Sequence, residues 1–130
     1  MDTIQIGQIV KTKYNSGVYI GEVIEDRRNF WLVEVKAVVT HPTQGDLHKP
    51  NQVEGVAFHE RKALANREKM NARKRDTKPY DGEIPNYDES LNKAIINLEI
   101  ELNQEDTAFN KASLLKLKDL KEHFYKEIID

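Results

Sequence analysis

Along the first forty residues apolar and polar positions alternate with the period of two expected of half-buried β-strands. Gly7-Gln8-Ile9-Val10-Lys11-Thr12-Lys13-Tyr14 is a β-rich run that ends at Asn15-Ser16-Gly17, a turn cluster whose glycine is available for positive φ. Val18 to Ile24 follows, rich in branched and aromatic residues, and Gly21 within it predicts a bulge or a sharp bend. Asp26-Arg27-Arg28-Asn29 makes the next turn. From Phe30 to Val39 the alternation is cleanest, with Trp31, Val33, Val35, Ala37 and Val39 on one face and Glu34 and Lys36 on the other. Three antiparallel strands on short turns, with one apolar face, form a meander that must curl or be covered.

Beyond Val39 the pattern changes twice. Thr40 to Gln52 reads as a loop framed by Pro42 and Pro50, and Val53 to Phe58 is a candidate fourth strand. Between Glu60 and Arg75 a few apolar residues (Ala63, Leu64, Ala65, Met70) stand among many charges, and a short helix is slightly favoured over a charged edge strand. Pro79, Gly82 and Pro85 give residues 76–87 the composition of an extended linker. The period then becomes helical. Asp88 is the expected N-cap, Leu91, Ala94, Ile95, Leu98 and Leu102 fall on one stripe, and Ile96 and Ile100 widen it. Asn103 to Thr107 interrupts that helix. A second begins near Ala108, with Phe109, Leu114, Leu117, Leu120, Phe124 and Ile128 on one side. The short connection predicts an antiparallel helical hairpin. The expected class is α+β with a mainly β N-terminal part: a sheet over 1–75, a linker over 76–87 and a helical hairpin over 88–130 packed on the sheet.

Size and composition narrow the function classes. A chain of 130 residues, 38% hydrophobic and 32% charged, has enough material for one core and an appendage. No apolar run approaches the roughly 20 residues of a membrane helix. Zero cysteines exclude disulfides, thiolate metal sites and a cysteine nucleophile. With no basic leader or apolar segment at Met1 to Gln5, the expectation is a cytoplasmic protein without direct membrane insertion. The net charge of −2 hides an asymmetry: residues 61–80 hold 8 Lys/Arg against 2 Asp/Glu, whereas residues 81–130 hold 6 against 12.

Several side chains invite a chemical reading. His41, Asp46 and His48 offer imidazole and carboxylate donors for a divalent metal, but their spacing is no recognised ligand pattern, and they fit better as polar loop residues or a contact surface. His59 followed by Glu60 faintly resembles a kinase phosphoacceptor box, without its proline and without a nucleotide-binding lobe elsewhere. Phosphate-loop, nucleophile-elbow and zincin motifs are missing, so no enzyme and no cofactor are expected. The basic band from Arg61 to Lys78, with Tyr14, Tyr19, Phe30 and Trp31 as stacking faces, makes a nucleic-acid-binding barrel the alternative reading.

Four blocks are more specific. Ser16-Gly17-Val18-Tyr19-Ile20-Gly21-Glu22, Lys36 through His48, Phe58-His59-Glu60-Arg61-Lys62-Ala63-Leu64-Ala65 and Lys78-Pro79-Tyr80-Asp81-Gly82-Glu83-Ile84-Pro85 resemble, in order and spacing, the kinase-associated protein B family of spore-forming bacilli. The resemblance covers essentially the whole chain. It implies an SH3-like small β-barrel followed by helices, and a non-enzymatic accessory to a membrane sensor histidine kinase that feeds the sporulation phosphorelay. The family is sometimes labelled a lipoprotein, a label this cysteine-free sequence departs from, so membrane proximity is expected through the kinase partner. No family site residues carry over. On surface chemistry, the expected partner contact is the proline-framed loop, with His41, Asp46 and His48, together with His59 and Arg61.

Overall fold

The computed structural model describes residues 3–45, 53–54 and 58–129. Five strands form one antiparallel sheet in the order β4-β3-β2-β1-β5, with β1 at Ile9–Tyr14, β2 at Gly17–Arg27, β3 at Phe30–Thr40, β4 at Lys69–Arg73 and β5 at Thr77–Pro79. The helices α1 (Tyr87–Leu102) and α2 (Ala108–His123) follow, and a last turn, α3, covers Lys126–Ile129. The α+β class expected from the alternation is therefore observed.

The first three strands form where the period of two placed them, except that β2 continues through Asp26 and Arg27 of the expected turn, and their details are set by one turn and by shifts of register. At the first turn the left-handed residue is Asn15 (φ 54°), not Gly17. Gly17 instead lies under the ring and hydroxyl of Tyr19, where a Cβ would collide. Gly21 marks the expected bulge: the β2–β3 register shifts between Ile20 and Gly21, and a Cβ there would lie 2.5 Å from the Glu34 carbonyl oxygen. A further shift between Val18 and Tyr19 breaks the alternation of β3, so Val38 joins the core where Val39 was expected. At this slip the Val38 N–H donates to Ser90 Oγ (2.9 Å), which donates onward to the Tyr87 carbonyl (2.7 Å). One serine thus ties α1 to the sheet at its irregular point.

Of the segment favoured as a helix over 60–75, Lys69–Arg73 is an edge strand and the part before it is extended chain outside any ladder. Met70 and Ala72 are buried while Lys69, Asn71 and Arg73 are exposed, and the ladder to Phe30–Glu34 supplies the backbone partners. Helical propensity of the Ala-Leu-Ala run yields to a turn at Ala65–Glu68, where Arg67 is left-handed (φ 71°) and Glu68 N–H returns to the Ala65 carbonyl (3.1 Å). The expected linker is likewise part sheet, because Thr77–Pro79 pairs with β1. Pro79 is tolerated because β5 is an edge. Of the candidate strand over Val53 to Phe58, residues 55–57 lie outside the described residues, and Val53, Glu54 and Phe58 belong to no strand.

Barrel curvature follows from chain connectivity. β4 and β5 are opposite edges of the sheet, yet only the three-residue 3-10 turn Lys74–Asp76 separates them. Such a turn advances about 2 Å per residue, so the sheet must roll until its edges nearly meet. Thr77 Oγ1 secures the junction, donating to the Arg73 carbonyl (2.7 Å) and lying 2.8 Å from Thr12 Oγ1. The result is an SH3-like barrel that the ladder itself does not close.

Helix starts are set by caps. Asn86, two residues before the expected Asp88, accepts from Glu89 N–H (3.2 Å), which leaves Asp88 and Glu89 in the first turn to complement the helix dipole. Thr107 caps α2 through Asn110 N–H (3.0 Å). Leu91 and Ile95 of α1, Leu117 and Leu120 of α2, and Tyr125 beyond it are buried in one cluster with Val10, Val23, Val33 and Val35 of the sheet. Each large aliphatic side chain buried this way contributes about 2 kcal/mol. Lys121 of α2 reaches Glu99 of α1 at 3.0 Å, linking the C-terminal halves of the two helices.

Candidate functional site

The four-residue run His41 to Gln44 leaves β3 and turns inward, toward the segment His59–Ala65, which belongs to no ladder. Two backbone strands of this kind must find hydrogen-bond partners among side chains or be penalised for their burial. They find them in each other. Gln44, 2% exposed, receives Arg61 N–H on Oε1 (2.8 Å) and donates from Nε2 to the carbonyls of Arg61 (2.9 Å) and Pro42 (3.1 Å). Arg61 Nε donates to the Gly45 carbonyl (2.7 Å), and Gly45 N–H donates to the His59 carbonyl (2.9 Å). Gly45 is required here: its φ is +99°, and a Cβ would sit 2.9 Å from the Phe58 ring.

Three tyrosine hydroxyls hold the rest of the segment. Tyr125 accepts from Ala63 N–H (2.9 Å), Tyr19 accepts from Leu64 N–H (3.2 Å), and Tyr87 donates to the Leu64 carbonyl (2.5 Å). They come from β2, the start of α1 and the turn after α2, so this one stretch of backbone joins all parts of the fold. Burial raises the pKa of each phenol, Tyr125 to about 12, so all three remain neutral donors or acceptors.

His41 is the centre of this clamp. It is 1% exposed, its Nδ1 lies 3.0 Å from the Pro42 carbonyl, its Nε2 lies 3.0 Å from Tyr125 Oη, and its ring meets the Tyr125 ring edge-on at 5.9 Å. A carbonyl can only accept, so Nδ1 carries the proton and Nε2 receives the Tyr125 hydroxyl hydrogen. The chain of bonds then runs in one direction, from Ala63 N–H through Tyr125 and His41 to Pro42. Desolvation lowers the imidazole pKa to about 4, only partly opposed by the bond to Pro42, so the ring is neutral at pH 7.

These facts correct part of the expected contact set. His41 is an internal strut and offers nothing to a partner. Arg61 is half-buried and its Nε is engaged by Gly45, whereas the His59 side chain is exposed and only its backbone is tied. Asp46 and His48 lie outside the described residues. Among the described residues no three His, Asp or Glu side chains are grouped so as to hold a metal ion. Sequence reasoning missed Gln44, Tyr87 and Tyr125 and gave Tyr19 a different role, because an amide and three hydroxyls from distant points converge only after folding.

Folding engages part of the basic band. Lys74 pairs with Asp26 (2.5 Å) and covers the Trp31 ring at 4.2 Å, Lys62 covers Phe124 at 4.4 Å, and Tyr19 is buried. Of the stacking faces expected for single-stranded nucleic acid, Phe30 is 38% exposed and Tyr14 is half-buried. Phe30, Arg73 and Arg75 line one cleft with Lys13.

The chain as a whole is similar to known proteins. The family model described as kinase associated protein B matches residues 14–125. Kinase-associated lipoprotein B of Bacillus subtilis (strain 168) is 47% identical over 125 residues, a match covering 96% of this chain and 98% of that protein. The crystal structure of kinase-associated protein B from Bacillus cereus superposes with a TM-score of 0.83 at 40% identity, covering 94% of this chain and 98% of the other. Agreement of sequence and fold over nearly the whole chain places it in the kinase-associated protein B family.

Proposed function

We propose that this protein is a non-enzymatic accessory that binds a membrane sensor histidine kinase of the sporulation phosphorelay and biases it toward its active state. The observation that carries the reading is the near full-length similarity to a kinase-associated lipoprotein. The clamp supports it from the chemical side, since the buried histidine of the distinctive block has both ring nitrogens engaged in holding the fold. Activation by binding needs only differential affinity. A tenfold shift in the active population requires about 1.4 kcal/mol of tighter binding to the active kinase. The exposed His59 side chain remains a contact candidate from the expected set.

No helix among the described residues is long and apolar enough to cross a membrane. In this reading the protein works at the cytoplasmic face and meets the membrane through the kinase. The test is reconstitution. Purified protein added to membranes carrying sporulation sensor kinases should raise the rate of kinase autophosphorylation from ATP and crosslink to one of them. Unchanged autophosphorylation, with no kinase among the crosslinked partners, would refute the reading.

A further inference from the structure

Where the rolled sheet brings β1 beside the β4–β5 turn, the surface opens into a cleft of about 620 Å³ lined by Lys13, Tyr14, Phe30, Arg73, Arg75 and Asp76, among others. Phe30, Arg73 and Arg75 also border an adjoining hollow of about 600 Å³. No ion pair among the described residues involves Lys13, Arg73 or Arg75, whereas Lys36, Lys74, Lys111 and Lys121 each have a carboxylate partner. The charge continues along the neighbouring ladder. Lys11, on the same face of β1 as Lys13, stands directly opposite Lys78 of β5, and both are exposed. Like charges so placed repel and destabilise the strand pair. A fold that leaves this strain unrelieved within itself has a place for a counter-charge from outside.

We propose that this cleft is a docking site for an acidic segment of a protein partner, a short stretch with a few carboxylates beside one apolar side chain. The two guanidinium forks suit carboxylates bidentately, Lys13 adds a third cation, and the exposed part of Phe30 offers the apolar contact. A protein segment fits better than nucleic acid. Asp76 sits in the cleft, Asp26 stands half-exposed near its edge, and residues 81–130 carry 12 Asp/Glu against 6 Lys. A phosphate chain, charged at every residue, would have to pass Asp76 and Asp26, while a short acidic peptide can place its few carboxylates on the cations alone. Such docking goes beyond the kinase reading and does not depend on the partner being a kinase.

The test is a titration of the full ¹⁵N-labelled chain with three probes: a short Glu/Asp peptide centred on one Leu, its Gln/Asn counterpart, and an oligothymidylate of similar length. The acidic peptide should give saturating shifts at Lys13, Phe30, Arg73 and Arg75, and should bind at least roughly tenfold tighter than the amide peptide, as expected for charge-assisted hydrogen bonds. Reversal of both arginines (Arg73→Glu with Arg75→Glu) should remove at least about tenfold of that affinity, and Lys13→Glu should weaken it independently. Both variants should keep the thermal midpoint of the parent, since these side chains are exposed. Tighter binding of oligothymidylate would overturn the proposal in favour of a nucleic-acid surface. Equal binding of the two peptides, shifts centred elsewhere, or no saturable binding would each overturn it outright. Saturable acidic-peptide binding by a parent protein that leaves kinase autophosphorylation unchanged would fault the kinase reading alone.

Discussion

The residue that most constrains the account is His41, a polar side chain placed in the interior with every hydrogen-bonding atom engaged. Removing one member of such a chain leaves the others buried and unpaired, which is costlier than the bond itself. Tyr125→Phe deletes only the hydroxyl, orphaning His41 Nε2 and Ala63 N–H, and should cost about 1–3 kcal/mol. His41→Ala adds a cavity and should cost about 2–4 kcal/mol, both read by urea denaturation. The sign of the pH effect follows from the lowered pKa. The unfolded chain protonates this imidazole as pH falls through 6.5, the folded chain only near 4. Stability from His41 is therefore complete above the unfolded value and is lost progressively between pH 6.5 and 4, to a total of roughly 3 kcal/mol. Denaturation curves of parent and His41→Ala across that window should converge as pH falls; a constant gap would show that the ring is not held neutral. None of this was legible beforehand. A histidine between threonine and proline in a loop looks like surface, and its tyrosine partner lies 84 residues away.

Secondary-structure elements reveal which sequence signals are local and which are not. The strands over 9–40 and the helices after 86 came through because their periodicity extends over many residues. β4 did not, since five residues with two apolar positions carry too little period to outweigh helix-forming neighbours. β5 did not, since three residues ending in proline look like linker until the edge of β1 is there to pair with them. The bulge at Gly21 was legible because a glycine inside a run of branched residues forfeits side-chain packing, and a bulge or close backbone approach is what requires that loss. Gly21→Val should therefore be severe, at about 3 kcal/mol or more, because the new side chain meets the Glu34 carbonyl and the Val33 side chain. Gly45→Ala should cost less, about 1–2 kcal/mol, from left-handed strain and contact with Phe58. Thr107→Ala should cost about 1 kcal/mol through the lost α2 cap. Thermal melts of the three variants check both the values and their order.

At the scale of the whole molecule, the distinctive sequence blocks turn out to serve assembly. Tyr19 of the first block, His41 and Gln44 of the second and Arg61 to Leu64 of the third meet in one clamp, closed by Tyr87 and Tyr125 from the helical half. Sheet and helices should accordingly unfold together, with circular dichroism in the far and near ultraviolet tracing a single coincident transition. A chain cut before Phe124 should lose that transition well below the parent midpoint, because Tyr125 leaves the core with it. The free surface, including the cationic cleft, is then what remains to meet a partner. The claim beneath all of this is that the signature histidine is a neutral internal strut. Long-range ¹H–¹⁵N spectroscopy of the His41 ring across pH tests it most directly. The account predicts the Nδ1-protonated tautomer, unchanged down to about pH 5 and titrating near 4. A ring that titrates near 6.5, or that carries its neutral proton on Nε2, would contradict it.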